Sequence, residues 1–190
     1  MTTVPVLTGA NVMLRPARPE DVAQRLALGN DPDIMRMFGV DPAGIRPLTE
    51  ASAARWVERL AAHPYAWVVE HDSRLLGEVR LDGLDPHDAR ARLAIGLYDP
   101  AKLGMGLGRE VVCLVVAHAF GTLGLHRISV RAVAYNTRAI RCYMACGFVV
   151  EGREREAALV GSERHDDIIM GILAHEMKFR AGDNHIDEPA

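Results

Sequence analysis

Apolar and polar positions alternate along this chain with two periods, and the change from one to the other marks out its elements. Val12 to Leu14 is a short apolar segment ending at Pro16, which predicts a strand. Pro19, Glu20 and Asp21 open a helical stretch to about Leu28, and Asp31 and Pro32 begin a short helix around Ile34 to Met37. Thr49 caps a third helix that carries Ala53, Trp56, Val57 and Leu60 on one face. Tyr65 to Glu70 and Leu75 to Leu81 read as strands around the polar turn His71-Asp72-Ser73-Arg74, an antiparallel hairpin. After the polar loop Asp82 to Arg90, the alternation of Leu93, Ile95 and Leu97 predicts a strand from about Arg92 to Tyr98.

The second half begins with a helical run from Gly108 to Leu123, in which Val111, Val112, Val115, Ala119 and Phe120 recur at helical spacing. Ile128, Val130 and Ala132 form the next strand. Asn136 to Cys146 is a helix stopped by Gly147, and strands follow at Phe148 to Gly152 and Ile168 to Leu173. At 190 residues the chain can bury one core, so a single domain over residues 1–178 is expected, with residues 179–190 a polar, mobile tail.

A formal charge of −3 gives no general cationic field, which argues against nucleic acid or anionic lipid as partner. With no basic leader and no apolar run of membrane-spanning length, a soluble cytoplasmic protein is expected. Cys113, Cys142 and Cys146 make an odd count, a poor disulfide framework, and no His/Cys spacing resembles a zinc site, so reduced thiols and no metal are expected.

The most informative local feature is Gly104-Met105-Gly106-Leu107-Gly108, between a strand end and an apolar helix. Alternate glycines leave main-chain amides bare, and a helix N-terminus adds N–H groups and a favourable dipole, so a phosphate fits there. A Walker loop would need Lys and Ser or Thr after the last glycine, where Arg109 and Glu110 stand. A dinucleotide fingerprint would need glycine at position 109 or 111, where Arg109 and Val111 stand. A plain tight loop and a phosphate cradle of another kind both remain.

The segment Leu103 to Arg109 resembles the pyrophosphate turn Q/R-x-x-G-x-G/A of the GNAT superfamily, with Gly106 and Gly108 at its last fixed positions and Leu103 in place of Gln or Arg. Asn136, Ala139, Tyr143, Gly147 and Phe148 resemble the superfamily's N-x-x-A-x-x-x-Y-x-x-x-G-F signature. The early elements and Glu151-Gly152-Arg153 are similar to the subgroup of ribosomal-protein alanine N-acetyltransferases. The resemblance implies an α/β (α+β) fold: a mixed, mainly antiparallel seven-stranded sheet flanked by helices and splayed between strands four and five. It also implies acetyl-CoA as co-substrate, with a primary amine, on a small molecule or a protein N-terminus, as acceptor. A homodimer through the late strands is left open.

The same resemblance assigns roles. Main-chain N–H groups around Ile95 to Leu97 meet the carbonyl oxygen, and the turn from Leu103 and Gly104 through Met105, Gly106, Leu107 and Gly108 to Arg109 holds the diphosphate. Asn136 contacts the pantetheine arm or caps its helix, Arg138 or Arg141 reaches the nucleotide end, and Tyr143 protonates the departing thiolate. An alkyl ammonium of pKa near ~10 must lose a proton before it attacks. Where many relatives carry Glu before Ile-Gly, this chain has Ala94, so Glu78 on the preceding strand is the candidate base, ahead of Asp82, His87 and His165. The departures at Leu103 and Ala94 leave a second reading, a catalytically silent acyl-CoA-binding or sensing module. A third, a nucleotide-binding enzyme, would take ATP or NAD at the glycine turn.

Overall fold

The computed structural model describes residues 4–178; the expected mobile tail 179–190 lies outside the described residues. Strands β1 (Leu7–Thr8), β2 (Met13–Arg15), β3 (Ala66–His71), β4 (Arg74–Asp85), β5 (Arg90–Leu97), β6 (Arg127–Val133), β7 (Val149–Val160) and β8 (Glu163–Leu173) form one sheet. Its order is β1-β2-β3-β4-β5-β6-β8-β7, and every neighbouring pair is antiparallel except β5 with β6.

The sheet therefore has eight strands where seven were expected. The addition is β1, folded back on β2 by a turn in which Gly9 N–H donates to Val12 O at 2.9 Å. The Glu110 carboxylate braces that turn, accepting from the amides of Asn11 (2.8 Å) and Val12 (3.3 Å). Two residues are too few to show a period, so the sequence pattern passes over them.

A second correction concerns β7 and β8, which run well beyond Phe148–Gly152 and Ile168–Leu173 as one long hairpin. Its outer half, Arg153 to Glu156, is exposed on both faces and so carries no apolar alternation to read. The loop Asp82–Arg90 is likewise shorter than expected, because β4 continues to Asp85 and β5 begins at Arg90.

The helices are α1 (Asp21–Leu28), α2 (Pro32–Met37), α3 (Glu50–Ala62), α4 (Leu107–Gly121) and α5 (Thr137–Ala145). Side chains on alternate strand positions face opposite layers. Trp67, Val69, Ala91, Leu93, Ile128 and Val130 pack with Val111, Val112 and Val115 of α4, whereas Val68, Leu75 and Tyr98 pack with Trp56, Val57 and Leu60 of α3. One structural ion pair is buried at the start of α1: Arg15 meets Asp21 with two hydrogen bonds of 2.7 and 2.9 Å, and its Nε reaches Glu70 at 2.7 Å. No helix among the described residues is long and apolar enough to cross a membrane.

Candidate active site

β5 and β6 pair only over Arg90↔Arg127, Ala91↔Ile128 and Arg92↔Ser129. Beyond Arg92 the two strands part, and these are the strands the sequence numbering had as fourth and fifth. The backbone at the gap is oriented by the other neighbour. Tyr98 N–H donates to Leu76 O at 2.9 Å, so Tyr98 and, two residues back, Gly96 turn their amides toward β4. Antiparallel strands alternate this direction, so Ile95 and Leu97 turn theirs into the gap.

A cavity of about 820 Å³ occupies the gap, lined by β5, β6, α2, α5, the glycine turn and the tip of the β7–β8 hairpin. That size matches a site for a drug-sized or larger ligand. Gly104 (φ 81°) and Gly106 (φ 80°) are left-handed, a conformation that any residue with a Cβ adopts only under strain. Gly106 is the N-cap of α4 and makes no side-chain cap, so the amides of the first turn remain available. Arg109, one turn in, lines the cavity, and its buried Nε has no hydrogen-bond partner among the described residues. A cradle of bare amides with an orphaned guanidinium nitrogen beside it suits a phosphate ester.

Of the residues expected in the turn, Leu103, Gly104, Gly106, Gly108 and Arg109 line the cavity. Met105 projects into solvent and Leu107 into the core, so only their main chains belong to the turn. Arg138 and Arg141 line the cavity from exposed positions of α5. Asn136 caps α5, its Oδ1 accepting from Ala139 N at 3.1 Å, while its amide donates to Met37 O at 3.0 Å and so ties α2 to the cavity rim. Tyr143 is buried against Phe148 and opens onto the cavity. Desolvation pushes its phenol well above the usual tyrosine range, so it is a protonated donor at neutral pH.

Glu78 also lines the cavity and is nearly buried, with Oε1 on Arg80 Nη1 at 2.7 Å and Oε2 on Arg59 Nη2 at 3.2 Å. Asp82 lies four residues along the same strand, bound by Arg80 Nε at 3.0 Å. Ala94 lines the cavity opposite Arg80 in register, so the place of the missing carboxylate is flanked by a guanidinium. His87 and His165 do not line it; His165 stacks edge-on against Tyr135 at 4.8 Å.

Several lining residues escaped the sequence reading: Lys102, Arg92, Arg131, Tyr98 and the buried Asp167. Asp167 offered a signal, a carboxylate entering the apolar run Ile168 to Met170, and Lys102 another, a cation just before the glycine turn. Arg92 and Arg131 offered none, since which strand face they occupy depends on register. The thiols Cys113, Cys142 and Cys146 are free and lie together under the turn, with Cys113 and Cys146 Sγ atoms 3.6 Å apart.

The family description "Acetyltransferase (GNAT) domain" matches residues 11–149. Among curated proteins, the chain is 28% identical over 176 residues to "Probable N-acetyltransferase YjcK" of Bacillus subtilis (strain 168), covering 88% of this chain and 97% of that one. It is 26% identical over 170 residues to spermidine N(1)-acetyltransferase of Escherichia coli (strain K12), covering 87% and 88%. The solved spermidine N-acetyltransferase of Vibrio cholerae, in complex with CoA and spermine, superposes with a TM-score of 0.74 at 23% identity, covering 88% of this chain and 98% of that one. With a family match over most of its length, the chain belongs to the GNAT acetyltransferase family and is an acetyl-CoA-dependent N-acetyltransferase.

Proposed function

We propose that this enzyme, a single domain over residues 1–178 acting in the cytoplasm, acetylates a small-molecule primary amine by direct attack in a ternary complex. The observation that carries the reading is the gap between β5 and β6, with the amides of Ile95 and Leu97 facing into it and the glycine turn at its mouth. The relatives named for spermidine support a small amine over a protein N-terminus as acceptor.

Acetyl-CoA supplies the thioester carbonyl and a thiolate leaving group. The amides from Gly104 to Arg109, with the Arg109 guanidinium, hold its diphosphate, and Arg138 and Arg141 serve its nucleotide end. Amides fixed by the β4–β5 ladder at Ile95 and Leu97 need no reorganisation to meet charge growing on an oxygen in the gap. Tyr143 donates its phenolic proton on the cavity side, where its oxygen has no hydrogen-bond partner among the described residues to satisfy first. Glu78 takes the ammonium proton directly or through a water; each of its oxygens accepts one arginine and retains a second lone pair.

Steady-state kinetics beside acetyl-CoA calorimetry test these roles. Tyr143→Phe is expected to lower kcat by about 10- to 100-fold, and Glu78→Gln to lower kcat/KM by about 100-fold, both within the range of general acid–base catalysis. Affinity for acetyl-CoA stays within about twofold in both variants, since a change confined to kcat marks a group used only in the transition state. Unchanged turnover in either variant removes that residue's role.

A further inference from the structure

The β4–β5 register sets Glu78 opposite Gly96, Arg80 opposite Ala94 and Asp82 opposite Arg92. Alternation puts these charged side chains on the face shared with Tyr98, away from α4 and the glycine turn. Across the gap, Arg131 alternates with the core residues Val130 and Ala132, and Asp167 stands opposite Val133, so both belong to the same face. All six line the cavity on its acceptor side.

The acids there are already taken. Glu78 is held by Arg80 and Arg59, Asp82 by Arg80, and Asp167 by Arg131, whose Nε approaches to 3.3 Å. On this face Arg80, Arg92 and Arg131 match Glu78, Asp82 and Asp167 in number, and Arg59 adds a further positive charge from the rim, so no surplus negative charge waits for a polycation. Beyond the one amine that Glu78 deprotonates, the further ammonium groups of a spermidine-like acceptor meet only carboxylates already neutralised by a guanidinium. Arg92 is different: it is exposed to the cavity and has no ion-pair partner among the described residues. An unpaired guanidinium offers a planar fork of donors suited to carboxylate or phosphate.

We infer that the acceptor is a primary amine that also carries an anionic group, and that Arg92 binds that group while the amine enters the gap. This rests on the acetyl-transfer reading and narrows its substrate class away from the polyamines of the named relatives. Specificity follows from charge: Arg92 attracts the anion, and a cation at the same place meets repulsion with no free carboxylate to offset it.

The test is the full-length enzyme with saturating acetyl-CoA, CoA release being read by a thiol reagent. One arm holds amino acids and dipeptides, a second aminoalkyl phosphates such as phosphoethanolamine, a third neutral amines such as ethanolamine, and a fourth spermidine. The highest kcat/KM is expected in the first or second arm, which separates carboxylate from phosphate. Arg92→Ala should then raise KM for that substrate by about 10- to 100-fold with kcat kept, the worth of a charge-assisted hydrogen bond, and Arg92→Lys should restore part of it. A neutral amine or spermidine as best acceptor, no acetylation of any anionic member, or an unmoved KM in Arg92→Ala overturns the inference. Calorimetric binding of acetyl-CoA separates the two levels: if it binds, only the acceptor class has failed; if it does not, the transfer reading fails and this inference with it.

Discussion

Burial raises the pKa of two cavity tyrosines, and the two are placed for different purposes. Tyr143 opens on the gap, where a neutral phenol is a proton donor. Tyr98 is packed between Trp56 and Phe38 with the Arg25 guanidinium 4.1 Å over its ring, and desolvation, with the Glu78 charge adding to it, pushes its pKa up to about 12. Because the folded value lies above the ordinary value of 10.0, the fold favours the protonated phenol. Its contribution to stability is complete below pH 10 and disappears as pH rises toward about 12. Denaturant unfolding of the wild type is therefore expected to show falling stability across that window, and Tyr98→Phe to show a shallower fall. Equal slopes in the two proteins would contradict this account of Tyr98.

Among the elements, the short connection from β5 to α4 has the most exacting backbone. Gly106 caps α4 in the left-handed region, with nothing within 4 Å of where a Cβ would sit, so a substitution there meets torsional strain and no clash. Gly106→Ala is expected to cost about 1–2 kcal/mol in unfolding free energy and to weaken acetyl-CoA binding at least tenfold by re-aiming the first amides of α4. Loss of stability with unchanged affinity would show that the turn does not hold the ligand. This element was legible in the sequence because glycine spacing reports backbone torsion directly, as was the β3–β4 turn, where Asp72 and Ser73 take φ of 51° and 58°. The β7–β8 hairpin was not: its charged outer half has no buried face, yet a register shift between Glu154 and Ala158 brings Ala157 to Leu159 into the cavity wall. The charged face around Arg92 was hidden for a related reason, since sequence alternation shows that residues share a face only once strands are paired.

For the whole molecule, one sheet performs two tasks. Its closed half, β1 to β5, is a continuous antiparallel ladder clamped by α3 and by the buried Arg15–Asp21 pair, and this rigidity fixes the direction of the β5 amides. Its other half, β6 to β8, diverges from β5 beyond Arg92 and leaves the cavity. The resemblance carried the splay and the order of the two motifs; the extra strand, the hairpin and the acceptor face came from packing and register. If the gap and glycine turn together accept an acyl-CoA, thermal unfolding with acetyl-CoA, ATP and NAD at equal concentrations separates that ligand from the nucleotides. A ligand at a hundredfold excess over its Kd stabilises the native state by about 2.7 kcal/mol, which for a chain of this size is a rise in Tm of roughly 5–10 °C. That rise is expected with acetyl-CoA and no comparable rise with ATP or NAD; an unmoved Tm with acetyl-CoA, or an equal rise with either nucleotide, would show that the gap and turn do not form an acyl-CoA site.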